Sequence, residues 1–92
     1  MSQSELKQLL KEAKQELSNG YYEDAIEVAS KVLDIDNENY FALVFIGKSY
    51  DSLIDSKQVK DVETNYERAL KYYIKAITVQ PDNLLAWKGL FQ

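Results

Sequence analysis

The chain has 92 residues with neither cysteine nor histidine, 46% hydrophobic and 28% charged side chains, and a net charge of −4. These totals fit one small globular domain. They exclude disulfides, thiolate metal sites, and an imidazole acting as base or ligand. Nine acids face four lysines in residues 1–38, and six acids face seven bases in 39–92, a balance that argues against a basic patch suited to phosphate neutralisation.

Met1 is followed by polar residues without an apolar h-region, which argues against a secretory signal. Ser2 and Glu5 read as a capping box for a first helix over 3–19. Leu6, Leu9, Leu10, Ala13 and Leu17 recur there at i, i+3, i+4 spacing, and Gly20 is its stop. A second helix is predicted over 22–36. Asn39 is the N-cap of a third over 39–53, with Leu43, Ile46, Gly47 and Tyr50 on one face. The longest apolar stretch, "FALVFIG" at 41–47, is far too short to span a bilayer. A polar loop is expected over 54–60, and it should be the most mobile segment outside the termini. The fourth helix, 61–80, carries a stripe of Val62, Tyr66, Ala69, Leu70, Tyr73, Ala76 and Ile77. A fifth is expected over 83–91. No segment alternates with period two for long enough to form a strand, so the chain reads as all-α.

The chain also repeats itself. "NGYYEDAIEVASKVLDIDNENY" at 19–40 aligns with "NYERALKYYIKAITVQPDNL" at 65–84, setting Ala25 over Ala69 and "DNEN" over "QPDN". Leu43, Ile46, Gly47, Tyr50, Ala69, Tyr73 and Pro81 match the spaced signature of the tetratricopeptide repeat, which this unit resembles. The first unit is weaker, with Ala13 at the small-residue position, Ala25 and Ala29 in its second helix, and no proline. A third unit shows only its opening, Trp87 and Leu90, with Phe91 where a small residue belongs. Small residues at 13, 25, 47 and 69 suit close helix crossings, and larger ones would cost roughly 1–3 kcal/mol each. The expected architecture is tetratricopeptide-type hairpins stacked as an antiparallel right-handed α-solenoid. It forms a single domain over 1–92, with repeats at about 3–38 and 39–82 and a third opening at 83–92. Since that third unit lacks its second helix, the chain is expected to be an N-terminal piece of a longer one. Self-association through Trp87, Leu90 and Phe91 would then be a product of truncation.

"NYFALVFIGKSY" and "PDNLLAWKGLF", after an opening helix from Leu6 to Leu17, resemble the tetratricopeptide scaffold subunits of the superkiller complex, fungal members included. The resemblance implies a cytoplasmic scaffold, with the nucleus as an alternative location. Its partners would be helicase and beta-propeller subunits and exosome-linked factors, in 3′-to-5′ messenger RNA decay.

Chemistry is sparse. "DIDNENYFALVF" at 34–45 begins like a calcium loop, but Asn39 stands where glycine is needed and Phe45 where the bidentate glutamate belongs. Three glycines, at 20, 47 and 89, make no phosphate loop. No catalytic residue, metal site or cofactor is expected. The repeat alignment aims Lys7, Leu10 and Lys14 of the first helix, and Phe41, Val44 and Lys48 of the third, into the concave groove. There they could seat a peptide, although a solvated lysine face suits the same pattern. A chaperone-type carboxylate clamp is disfavoured, because its positions hold Leu10, Lys14, Phe45, Leu85 and Gly89, and only Lys14 fits. Tyr21, Tyr22, Tyr40, Tyr66 and Tyr72 could stack single-stranded RNA, but inter-helix packing is the more economical reading in an acidic chain. An interaction scaffold is therefore favoured over a generic peptide adaptor, and both over an RNA binder.

Overall fold

A computed structural model describes residues 3–91, and the capping box at Ser2 lies outside them. Five helices follow in order: α1 (Gln3–Ser18), α2 (Tyr22–Ile35), α3 (Tyr40–Asp55), α4 (Val62–Val79) and α5 (Leu84–Leu90). The described residues contain no strand. α1 pairs with α2 and α3 with α4, while α3 also packs on α2 and α5 on α4. These are tetratricopeptide-type helical hairpins. Lighter contacts join α1 to α3 and α3 to α5, so the opening helices of successive units neighbour one another.

Local chemistry sets the ends. Gly20, at φ 84°, closes α1 in the left-handed conformation, and the amides of Gly20 and Tyr21 donate to the Leu17 and Glu16 carbonyls at 3.2 and 2.9 Å. The inter-unit turns are alike. Asn39 and Asn83 each donate an amide to the carbonyl three residues back, at 3.1 and 3.2 Å. Each then caps the next helix, accepting from Ala42 N and Leu85 N at 3.1 Å. Asp61 caps α4, accepting from the Thr64 amide at 3.0 Å and the Thr64 hydroxyl at 2.7 Å, and these bonds hold its carboxyl below the usual range.

The α3 helix continues two residues further than the sequence suggests, so the connection runs over 56–61 rather than from 54. It ends as α1 does, with the amides of Lys57 and Gln58 donating to the Ile54 and Leu53 carbonyls at 3.0 Å. Here the left-handed position (φ 60°) is filled by Lys57 instead of glycine, which hides the stop from a sequence reading.

Two apolar clusters share α3. Ala13, Val28, Ala29, Val32, Ala42 and Ile46 make the first, and Tyr40, Leu43, Val44, Ala69, Tyr73, Ala76 and Ala86 the second. Ala13 and Ala25 have no exposed surface and Ala69 almost none, as close crossings require. Tyr50 is half-buried and stacks on Tyr72, with ring centroids 6.1 Å apart.

Four features depart from the repeat pattern. Val62 and Tyr66 are about half exposed and leave the buried stripe. The seven residues of α5 span only about 10 Å, so α5 covers one end of α4 and leaves the other bare. Phe91 does not enter the third crossing, being 78% exposed; the close approach falls on Gly89 instead. Pro81 takes no part in the packing and stays exposed in the turn, where its carbonyl accepts from Trp87 Nε1 at 2.8 Å.

Candidate functional site

Tyr73 organises the end of the molecule where α3, α4 and α5 meet. Its ring lies against two glycines, so that a Cβ built on Gly47 would stand 2.9 Å from Cε1, and one on Gly89 2.5 Å from Cζ. Glycine is needed at both places so that the backbones can close on the ring. Gly89 was not singled out by the repeat pattern, and its spacing from Tyr73 is visible only once α5 is docked.

Tyr40 holds the start of α5. Its hydroxyl accepts from the Ala86 amide at 3.0 Å and donates to the Asn83 carbonyl at 3.3 Å. One side chain thus satisfies a helix-end amide that would otherwise be buried without a partner. Tyr40 is buried and Tyr72, half-buried, stacks on Tyr50, so both are engaged in packing. Tyr21 and Tyr66 remain exposed, and Tyr22 lies half-buried at the start of α2.

The predicted groove residues divide. Lys7 and Lys14 are exposed on α1, with Leu10 between them half-buried against the first cluster. On α3, Phe41 is 44% exposed and Lys48 half-buried, while Val44 is 1% exposed and belongs to the core. Val44 therefore drops out as a contact. The repeat register puts it on the groove side, but there it is covered by α5 and neighbouring side chains. Phe45, half-buried and 6.4 Å from the Phe41 ring, presents the apolar surface assigned to Val44.

Lys48 opens onto a 300 Å³ cavity with Leu17, Tyr22, Asp51, Ser52, Asp55 and Tyr73. Sequence reasoning missed Asp51 and Asp55, because an acid in the last turns of a helix reads as ordinary surface. Burial pushes the Asp51 carboxyl up, opposed in part by Tyr73 and reinforced by Asp55. Burial and the adjacent Asp51 keep the Tyr73 hydroxyl protonated well above the ordinary phenol range.

No protein-family model matches the chain. It is 56% identical over 88 residues to superkiller protein 3 of Saccharomyces cerevisiae, which covers 96% of this chain and 6% of the relative. Human superkiller complex protein 3 is 36% identical over 90 residues. Tetratricopeptide repeat protein 37 of Xenopus laevis is 34% identical over 90. The chain is homologous to a segment of the superkiller 3 proteins. It spans about a twentieth of the length of these relatives. Among the described residues no helix is long and apolar enough to cross a membrane.

Proposed function

We propose that this chain is the N-terminal repeat segment of a superkiller-type scaffold, comprising two tetratricopeptide units and the opening helix of a third. The similarity supports the scaffold part of this reading, because the alignment at 56% identity extends over 88 residues and so takes in both hairpins rather than one helix. The exposed flank of α5 supports it. Phe91 is 78% exposed and stacks on Trp87 with rings 4° from parallel, 5.9 Å apart, which suits a surface awaiting the next helix. In the longer protein the array would hold a helicase and a beta-propeller subunit and serve exosome-linked 3′-to-5′ messenger RNA decay in the cytoplasm. This segment would act without catalysis or cofactor, through side chains such as Lys7, Leu10, Lys14, Phe41 and Lys48.

Removing residues 3–91 from the full-length scaffold tests this reading. Recovery of at least one of these partners with the tagged scaffold is expected to fall. Unchanged recovery of the helicase, the propeller subunit and the exosome-linked factors would refute it.

A further inference from the structure

Asp51 and Asp55 stand one turn apart on α3, beside the buried end of Tyr73. The three together line two cavities, of 320 and 300 Å³. Ile54, Leu70, Leu90 and Tyr66 add apolar and aromatic walls to the first, and Lys48 and Ser52 line the second. Asp51 is half-buried, yet no lysine or arginine among the described residues pairs with it or with Asp55. Lys48, one turn back, leaves both unpaired. The Tyr73 residue is 99% buried, and its hydroxyl has no partner at hydrogen-bond geometry, although the Asp51 carboxylate approaches it. A carboxylate half withdrawn from water and a buried hydroxyl left unbonded are both costly, and together they mark a place completed by something else.

The missing group is cationic and carries its own donors. No cluster of three or more metal-ligating side chains exists among the described residues, and two carboxylates alone make a poor metal cage. The walls also suit something other than a bare ion. Ile54, Leu70 and Leu90 would lie along an aliphatic stem, and the half-exposed Tyr66 ring offers a face to a cation.

We infer that this cleft receives the end of a lysine or arginine side chain from a segment of a partner protein. Asp51 and Asp55 take the charge. The Tyr73 oxygen accepts a hydrogen bond from the incoming N–H while its own hydrogen turns to Asp51. An arginine fits best, since its planar donors can reach two carboxylates and the phenol at once. The inference rests on the reading of the chain as an interaction module and names the chemistry of one contact within it.

Nuclear magnetic resonance titration of the 92-residue chain at low ionic strength tests it, with the probe acetyl-Leu-Arg-Leu-amide and the same peptide carrying neutral citrulline. The arginine peptide should give saturable shifts at the Asp51 and Asp55 carboxyls and the Tyr73 ring, and the citrulline peptide none. Asp51→Asn should weaken binding by about tenfold, the loss of one charge-assisted hydrogen bond. Asp55→Asn, at an exposed position, should weaken it too and serves if the first variant is poorly folded. Equal response to both peptides, or binding indifferent to both substitutions, would overturn the proposal. If the peptide fails while the full-length scaffold still needs residues 3–91 for assembly, the cleft is wrong and the scaffold reading stands. The opposite pair of results would separate them the other way.

Discussion

Gly89→Ala should loosen α5 although it replaces a poor helix former by the best one. On propensity alone the change gains about 1 kcal/mol in a helix interior. The added methyl, however, would lie 2.5 Å from Cζ and 2.8 Å from Oη of Tyr73, and closer still to Cε1. Relief by moving the ring is limited, because Tyr73 is 1% exposed and lies so close to the α3 backbone that a Cβ placed on Gly47 would fall within 2.9–3.1 Å of Cε1, Cδ1 and Cζ. Overpacking of this kind costs about 1–3 kcal/mol. The two effects oppose, and the net falls between neutral and about 2 kcal/mol of destabilisation.

The loss should be local. α5 is a terminal helix of seven residues, so the cheapest escape is for it to lift off rather than for the α3–α4 pair to open. The single tryptophan, Trp87, reports this directly, since it sits on α5. Its emission should shift toward that of a solvated indole at urea concentrations that leave helical circular dichroism nearly intact, and amide exchange should quicken in 84–91. Tyr73→Leu removes the clashing atoms and should restore tolerance to alanine at 89, whereas Tyr73→Phe keeps Cε1 and Cζ and should not. A Gly89→Ala chain with unchanged protection in α5, or with higher stability, would refute the packing argument.

Tyr40→Phe removes the acceptor for the Ala86 amide and should cost about 1–3 kcal/mol in α5 docking, read as faster exchange at Ala86; unaltered exchange would contradict it. Lys57→Gly relieves a left-handed conformation and should raise stability by about 1 kcal/mol, so a urea midpoint that falls would count against the cap assignment. Asp51 has a folded-state pKa above its unfolded value, so the native state binds the proton more tightly and ionisation of Asp51 penalises the fold above that pKa. Asp51→Asn should therefore stabilise at neutral pH, with the gain shrinking as pH falls through the raised folded-state pKa and gone below the unfolded value of about 4; a loss at neutral pH would contradict this. Phe91→Glu should weaken self-association of the 92-residue chain at high concentration, measured by sedimentation, and leave the first two units folded; a parent chain that is monomeric throughout would remove the basis for it.

Much of the architecture was legible because the repeat declares itself twice. Ala25 and Ala69, the capping Asn39 and the small residues 13 and 47 carry constraints that few side chains meet, small size at the crossings and a short acceptor at the cap. What the pattern could not reveal depends on where elements stop. Val62 and Tyr66 continue the stripe of α4 perfectly well, and only the short reach of α5 leaves them in solvent. Lys57 ends α3 without the glycine that would have announced it. Val44 and Phe45 are adjacent apolar residues on one helix, and register alone does not say which is sealed by α5. Asp51 became a candidate only when burial and an unpaired Tyr73 hydroxyl were found beside it.

These unfinished features gather at one end. Around the first cluster, Ala13, Ala29 and Val32 are fully covered. Around the second lie the half-exposed Tyr66, the bare Phe91, the unpaired carboxylates and the orphan hydroxyl. A solenoid unit is stabilised chiefly by its immediate neighbours, so unpaired polar groups concentrated where α3, α4 and α5 meet mean an interface left open rather than a fold weak throughout. The two kinds of surface there also ask for different things. The Phe91 flank is apolar and suits another helix of the same array. The Asp51 cleft is acidic, and burying it against an apolar helix would leave charge without compensation. Continuing the stack can therefore close the first surface and not the second, unless the next element brings a cation with it.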